Sequence, residues 1–447
     1  MFGLEVALVE QGAFGGECLN NGCVPSKALI AAAKRAYEAR RGARFGVSMQ
    51  GAQVDWAGVR EHIEASIATI APHDAPERFE AMGCETFRGA AKLTGSHTVE
   101  VAEQALSAPR IVLALGSEPA VPPIEGIEAV PYLTNENLFQ LDCLPEHLIV
   151  LGGGAVGMEM AQAFCRLGSA VTLVERGEIL SRDDRESAAL AKAALEADGV
   201  RFVRGSAVRA TGGDGAIALT LDDGEVIEGS HVLVATGRKA RGQGMGLEEQ
   251  GITFGKNGIA VDARRRTSLK HIYAIGDCRE GPRLTHVSGY EGSNVALEIS
   301  LGVPTKVDWT ALPWCTYTAP EVAQVGLTED QARKQFGDKV RIEREEFAHN
   351  DRAVTEGAMQ GQLKLVMKGR KLVGASVCGE GAGDMLLPLA QTITGKASTF
   401  ALGSAIIAYP TRGEITKAGA FAAWEPLVFS APVKRIARAL AALRRKF

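Results

Sequence analysis

The sequence contains little of what marks secreted, membrane-spanning or nucleic-acid-binding proteins. Its eight cysteines are too few for a disulfide scaffold in 447 residues. It has no apolar run of the roughly 18 residues that a membrane-spanning helix requires. A net charge of −4 argues against binding to nucleic acid. No basic stretch followed by an apolar one opens the sequence, so we expect no signal peptide and a cytoplasmic protein.

Two of the few cysteines lie close together in a glycine-rich segment. Cys18 and Cys23 are separated by four residues and precede a helix that the sequence predicts over 28–40. A thiolate near a helix N-terminus is stabilised by unpaired backbone N–H groups, and a second thiol allows thiol–disulfide exchange. The alternatives are two unrelated buried cysteines or half of a metal site, but no second Cys or His pair follows nearby. The spacing therefore favours redox chemistry and predicts no metal ion.

Further along the chain, the pattern predicts a complete dinucleotide-binding βαβ unit. A strand at 148–151 leads into a G-x-G-x-x-G loop, a helix at 158–166 and a second strand at 170–174. The loop glycines are Gly152, Gly154 and Gly157. They permit a tight turn, close approach of a pyrophosphate, and close packing of helix on strand. Glu175 ends the second strand, where a carboxylate binds a ribose 2′-hydroxyl and repels a 2′-phosphate, so NAD is favoured over NADP.

The segment from Gly15 to Lys27, GGECLNNGCVPSK, resembles the active-site segment of the flavin-dependent disulfide oxidoreductases. This family includes dihydrolipoamide dehydrogenase, glutathione reductase and mercuric reductase, and the resemblance extends over nearly the whole chain. It implies an α/β fold with two Rossmann-like three-layer nucleotide-binding domains and an α+β C-terminal dimerisation domain. It also implies the cofactors FAD and NAD(P), and a homodimer with an active site shared between subunits. The implied bounds are 1–121 and 242–305 for the FAD-binding domain, 122–241 for the NAD(P)-binding domain, 306–425 for the dimerisation domain and 426–447 for a basic amphipathic tail.

The resemblance also implies a set of flavin-binding residues. They are Glu10, Gly16, Lys27, Gly116, Gly237, Gly276 and Asp277. Glu10 would bind the adenosine ribose and Asp277 the ribitol. A glycine loop normally lies about 20 residues before such an acid, but only nine residues precede Glu10. We therefore expect the first strand and the FAD glycine loop to be missing, through truncation or a misassigned start.

Four residues of the implied catalytic set lie in the nucleotide-binding part of the chain. By resemblance, Cys18 is the thiol that exchanges with substrate and Cys23 is the thiol next to the flavin. Lys27 corresponds to the lysine near flavin N5. Glu159, in the helix after the second glycine loop, corresponds to the ion-pair partner of that lysine.

The C-terminal part departs from the family pattern. Relatives supply a His-Pro-x-x-x-Glu dyad to the partner subunit's disulfide, whereas here Tyr409 and Glu414 frame the segment and tyrosine replaces histidine. A phenol with a pKa of about 10 is a poor base at neutral pH, which argues against efficient oxidation of a dithiol such as dihydrolipoamide. Mercuric reductases carry tyrosine here but end in a vicinal cysteine pair, whereas the last cysteine here is Cys378. Residues 350–353 also resemble a family segment, to which the sequence assigns no role.

Three functional hypotheses remain open. The first is electron transfer from NAD(P)H through flavin and the Cys18–Cys23 disulfide to a small-molecule disulfide or another acceptor. The second is mercuric-ion reduction, and the third is an inactive fragment or a relic that only binds. The basic tail is predicted to be an amphipathic helix, which can lie on an anionic membrane surface or dock on a partner. It can also pack on its own domain, and we favour that alternative.

Overall fold

The computed structural model describes residues 3–49 and 53–444. The chain divides into two compact units, one of Met1–Glu178 with Asp198–Val307 and one of Ile179–Ala197 with Asp308–Phe447. In the described part of the chain, no helix is both long and apolar enough to span a bilayer.

Numbered in chain order, the strands are β1 Val6–Glu10, β2 Cys84–Arg88, β3 Ala91–Gly95, β4 Thr98–Val101, β5 Gln104–Ser107, β6 Ile111–Leu113, β7 Ser117–Pro119, β8 His147–Leu151, β9 Ala170–Glu175, β10 Arg201–Arg204, β11 Ala207–Gly213, β12 Ala216–Leu221, β13 Val226–Gly229, β14 His231–Val234, β15 Arg238–Ala240, β16 Phe254–Gly255, β17 Gly258–Ile259, β18 Ile272–Ala274, β19 Pro313–Thr316, β20 Glu321–Gly326, β21 Val340–Glu346, β22 Gln362–Lys368 and β23 Lys371–Gly379. The α-helices are α1 Gly16–Asn20, α2 Cys23–Arg41, α3 Trp56–Ile70, α4 Pro76–Ala81, α5 Ala155–Leu167, α6 Arg185–Asp198, α7 Thr285–Leu301, α8 Glu329–Phe336, α9 Asp351–Thr355, α10 Leu386–Ile393, α11 Thr399–Ser404, α12 Glu414–Ala422, α13 Glu425–Val428 and α14 Ala431–Arg444.

The predicted βαβ unit lies in the first compact unit. Strands β10, β9, β8 and β14 form a parallel sheet in that order, and α5 connects β8 to β9. Parallel strands covered on both faces have nearly continuous apolar sequences, and β8 fits this rule because Leu148, Ile149 and Val150 are fully buried. A three-stranded antiparallel sheet of β11, β12 and β13 adds to the same core. The sheet places the glycine loop after β8 and Glu175 at the end of β9.

The remainder of the first unit contains the segments that resemble flavin-binding motifs. Strand β1 pairs in parallel with β2, and β18 pairs in parallel with β6. Strands β3, β4 and β5 form an antiparallel sheet. Among the described residues, no strand joins the β1–β2 pair to the β18–β6 pair. These pairings do not confirm the expected loss of a first strand and an FAD glycine loop.

Helix α2 begins at Cys23, five residues earlier than the predicted start at 28. The reason lies in Pro25, which occupies the first turn of the helix. Backbone N–H groups in a first turn have no partner within the helix, so proline costs little there. The cysteine is therefore part of the helix N-terminus itself.

The second unit is an α+β domain. Together with the parallel sheet of the first unit, it confirms the predicted fold class. Strands β19, β20, β23, β22 and β21 form an antiparallel sheet in that order. Helices α10 and α12 pack on it, with Leu389 and Ile415 in the core. Lys364 on β22 is buried and forms ion pairs with Asp184 at 2.8 Å and Glu329 at 3.2 Å. These pairs neutralise a charge that would otherwise be costly to bury.

Helix α14 forms as the amphipathic pattern predicts, but none of its residues is buried. The favoured expectation that this helix packs on its own domain is therefore wrong for the described residues. Its apolar residues remain in contact with solvent.

Candidate active site

The two cysteines lie at the junction of α1 and α2. Cys23 is the first residue of α2, and Cys18 lies in the single turn of α1. The Sγ atom of Cys23 is 3.3 Å from Oγ1 of Thr285, the first residue of α7. Helix α7 therefore brings a hydroxyl group to the sulfur atom at the start of α2.

The electrostatics of the pair place negative charge on Cys23. A hydrogen bond from the Cys18 thiol is the largest effect that lowers the pKa of Cys23 to about 6, and Thr285 and the charge of Lys27 add to it. The same hydrogen bond, together with burial, raises the pKa of Cys18. Above about pH 6, the reduced pair therefore consists of a Cys23 thiolate and a Cys18 thiol.

Lys27 follows Cys23 by about one helical turn and is held by a buried carboxylate. Its Nζ lies 2.8 Å from Oε2 of Glu159, whose side chain is only 6% exposed. Glu159 lies on α5, the helix that begins at the glycine loop after β8. A hydrogen bond of 2.7 Å from Arg40 to the Arg166 carbonyl also joins α2 to α5. The ion pair thus fixes a positive charge near the Cys23 sulfur.

The glycine loop after β8 fits a dinucleotide. A Cβ on Gly157 would lie 1.9 Å from the Gly152 carbonyl oxygen, so only glycine allows α5 to approach the strand this closely. Gly154, at the N-terminus of α5, has open space where a Cβ would lie. Glu175 accepts hydrogen bonds from the N–H groups of Gly153 at 2.7 Å and Gly177 at 2.8 Å. Its carboxylate is thereby fixed beside the glycine loop.

Glu10 repeats part of this geometry at the end of β1. Its Oε1 accepts a hydrogen bond of 2.7 Å from the N–H of Gly12, two residues later. Glu175 and Gly177 have the same spacing and the same bond. The two predicted ribose-binding acids therefore have matching local structure.

Three separate flavin motifs meet at one polar cluster. Ser117, which follows Gly116, donates a hydrogen bond of 2.8 Å to Oδ2 of Asp277. Arg238, which follows Gly237, donates one of 2.7 Å to Ser117 Oγ. The predicted flavin-site glycines Gly16, Gly116, Gly237 and Gly276 all have positive φ values. The cluster fits the predicted ribitol contact of Asp277 because the hydrogen bond from Ser117 fixes its carboxylate.

Three residues without a role predicted from the sequence connect this cluster to the cysteines, namely Arg238, Glu17 and Asn135. Arg238 forms an ion pair with Glu17, the neighbour of Cys18. It also donates a hydrogen bond of 3.3 Å to Asn135, whose amide donates to the Asn21 carbonyl at 3.2 Å. In the sequence, the only hint of these contacts is that a charged residue lies next to each motif: Glu17 precedes Cys18, and Arg238 follows Gly237. Because Glu17 and Arg238 are 221 residues apart in the chain, nothing local shows that they form an ion pair.

Tyr409 and Glu414 lie in the second unit. Residues 350–353, the segment to which the sequence assigns no role, form hydrogen bonds with this part of the chain. The Tyr409 hydroxyl donates a hydrogen bond of 2.8 Å to Asp351, and this bond raises the pKa of Tyr409. Asn350 donates one of 3.1 Å to the Thr411 carbonyl. The N–H of Thr411 in turn donates one of 3.0 Å to Glu414. Asp351, Tyr409 and Glu414 line a cavity of about 480 Å³.

No group of three or more His, Cys, Asp or Glu side chains placed to hold a metal ion occurs within residues 3–49 and 53–444. The polar groups around the cysteines are instead those that stabilise a thiolate.

Comparison with known proteins agrees with this arrangement. The profile of the pyridine nucleotide-disulphide oxidoreductase family matches residues 1–292, and that of the family's dimerisation domain matches residues 312–419. The chain belongs to the pyridine nucleotide-disulphide oxidoreductase family. Members of this family use FAD and NAD(P)H, and the dimerisation domain supports a homodimer.

Relatives of this flavoprotein disulfide reductase have more than one activity. A mercuric reductase from Streptomyces lividans is 34% identical over 94% of this chain and 91% of its own. A dihydrolipoyl dehydrogenase from Geobacillus stearothermophilus is 34% identical over 92% of this chain and 90% of its own. The crystal structure of LpdA from Mycobacterium tuberculosis matches with a TM-score of 0.85 and 25% identity, covering 94% of this chain and 93% of that one. The flavoprotein disulfide reductase RclA from Escherichia coli, at 24% identity and a TM-score of 0.84 over 94% of both chains, shows the shared fold.

Proposed function

We propose that this flavoprotein transfers two electrons from NADH to the Cys18–Cys23 disulfide, and from the reduced pair to a small-molecule disulfide or another acceptor. The observation that carries the proposal is the Cys23 sulfur, which Cys18, Thr285 and the Lys27 charge together stabilise as a thiolate. FAD, when bound, supplies the chemistry that accepts hydride from a nicotinamide and delivers two electrons to a disulfide. Glu10, Gly16, Gly116, Gly237, Gly276 and Asp277 are the residues proposed to hold it, together with Lys27.

The exchange with an acceptor disulfide follows from the two sulfurs. Two electrons and one proton from NADH open the S–S bond, leaving a Cys18 thiol and a Cys23 thiolate, and NAD⁺ departs. The Cys18 thiol then gives its proton to the hydrogen-bonded Cys23 thiolate as its sulfur attacks the acceptor and forms a mixed disulfide. The departing thiolate takes that proton from Cys23, which becomes a thiolate again. Next, the Cys23 thiolate attacks the Cys18 sulfur, restores the disulfide and releases the second thiolate, which takes a proton from solvent. In sum, NADH, one proton and one disulfide give NAD⁺ and two thiols.

The fixed carboxylate of Glu175 supports a preference for NADH over NADPH. We expect Glu175→Ser to lower kcat/KM for NADH by about 10- to 100-fold, because a hydrogen bond to a charged group is worth roughly 1.5–3 kcal/mol. The value for NADPH should fall much less, because the repulsion of its 2′-phosphate is removed at the same time. Stopped-flow measurement of flavin reduction by each nucleotide gives both constants. Arg176, the residue after Glu175, carries a positive charge that would favour a 2′-phosphate. Arg176→Ala is therefore the matched control: it should spare NADH and weaken only NADPH, and a wild-type preference for NADPH would refute the assignment.

The presence of Tyr409, where relatives have histidine, bears on the identity of the acceptor. By resemblance, Tyr409 and Glu414 serve the partner subunit's disulfide in the homodimer. The hydrogen bond to Asp351 keeps the phenol protonated, so it can donate a hydrogen bond but does not act as a base at neutral pH. We therefore propose that the enzyme works in the direction of acceptor reduction and not of dithiol oxidation. A cytoplasmic location is part of the proposal, because the reaction consumes NADH.

Mercuric-ion reduction is the second candidate, and Tyr409 is the observation that favours it, since mercuric reductases have tyrosine at this place. NADH oxidation assayed with small disulfides, and with mercuric ion buffered by excess thiol, distinguishes the two. Turnover with a small disulfide and none with mercuric ion supports the main proposal. Turnover with mercuric ion alone would replace it with the second.

A further inference from the structure

Helix α14 exposes an apolar stripe that no part of the described chain covers. Val433, Ile436, Leu440 and Leu443 recur at helical spacing, and their exposed fractions are 41%, 60%, 51% and 56%. In the segment just before the helix, Leu427 and Phe429 are also exposed. A run of large apolar side chains on one face, all in water, indicates a surface for a partner.

The charges on this segment all have one sign. Residues 426–447 contain no Asp or Glu. The cations are Lys434, Arg435, Arg438, Arg444, Arg445 and Lys446, of which the last two lie outside the described residues. The chain as a whole has a net charge of −4, so this concentration of positive charge is local.

We propose that α14 lies flat on a lipid bilayer that contains anionic lipids. Its apolar stripe would enter the boundary between headgroups and acyl chains, and its cations would contact lipid phosphates. The combination selects this partner, because a nucleic acid would engage the cations but leave the stripe in water. At about 1.5 Å per residue, the 14 residues of α14 form a helix of about 21 Å, suited to lying in the interface and not to crossing it.

The test is co-sedimentation of the full-length, FAD-loaded protein with vesicles of phosphatidylcholine alone or mixed with phosphatidylglycerol. We expect binding to the mixed vesicles that weakens as salt is added, and little binding to phosphatidylcholine. Arg435→Gln with Arg438→Gln should weaken binding by about fivefold for each cation removed. All of these positions are exposed, so an unchanged melting temperature will show that the fold is intact.

A matched pair of variants separates insertion of the stripe from simple charge attraction. Leu440→Glu and Ala442→Glu change the charge equally, but the two positions lie about 200° apart around the helix. Leu440→Glu should weaken binding to the mixed vesicles at least tenfold, and Ala442→Glu much less. Equal effects of the two variants would overturn the proposal, as would equally tight binding to duplex DNA. Self-association through α14 without vesicle binding would also overturn it.

Discussion

Replacing Cys18 or Cys23 with serine is expected to lower NADH-dependent disulfide reduction on the order of a thousandfold or more. Each sulfur makes or breaks a bond in every turnover, and a serine hydroxyl cannot replace it in thiol–disulfide exchange. Reduction of the bound flavin by NADH should remain, because that half-reaction forms and breaks no bond to either cysteine sulfur. Stopped-flow absorbance for the first half-reaction and steady-state turnover for the whole reaction separate these effects.

Two controls sharpen this prediction. Cys143 is also exposed, and Cys143→Ser should leave both half-reactions unchanged. In the reduced wild-type protein, the thiolate absorbance should appear as pH rises through about 6, and it should be absent in Cys23→Ser. The absorbance rises with pH because Cys23, with its lowered pKa, is a thiolate above that pH and a neutral thiol below it. Full disulfide turnover by either cysteine variant would show that these residues are not the redox pair.

Replacing Tyr409 with histidine is expected to raise NAD⁺-dependent oxidation of dihydrolipoamide by about 100-fold. General acid–base catalysis by a well-placed group is worth roughly 10²- to 10⁴-fold, and histidine titrates near neutral pH, whereas the pKa of Tyr409 is raised by Asp351. Asp351 is already placed to accept a hydrogen bond from a ring N–H at this position. The gained activity should increase as pH rises through about 6.5, the ordinary pKa of histidine.

Tyr409→Phe is the matched variant for this prediction. It removes the hydroxyl but adds no base, so dihydrolipoamide oxidation should stay near the low wild-type level. Adding Cys18→Ser to Tyr409→His should abolish the gained activity. Rapid dihydrolipoamide oxidation by the wild-type protein would contradict the proposed direction of the reaction.

Local patterns were sufficient for the elements that carry the nucleotide chemistry. The strand, glycine loop, helix and second strand around Gly157 form a unit that is continuous in sequence, and its apolar run and glycine spacing specify it directly. The α+β fold of the C-terminal domain followed from resemblance in the same way. The start of α2 was placed five residues too late, because proline is compatible with the first turn of a helix.

The contacts between distant segments could not be read from the sequence. Nothing local to Tyr409 shows that its hydroxyl donates a hydrogen bond to Asp351, because 58 residues separate them. In the same way, the ion pair of Arg238 with Glu17 depends on how α1 packs against the strand that begins at Arg238. The exposure of α14 was also beyond prediction, since an amphipathic pattern looks the same whether its apolar face is covered or free.

In the proposed reaction, NADH reduces a disulfide between Cys18 and Cys23. The most direct measurement is anaerobic treatment of the FAD-loaded protein with NADH, followed by rapid alkylation and identification of the labelled cysteines by mass spectrometry. We expect NADH to expose new thiols at Cys18 and Cys23 and at no other cysteine, and untreated protein to yield neither. Reduction of the flavin by NADH without new thiols at these two residues would contradict it.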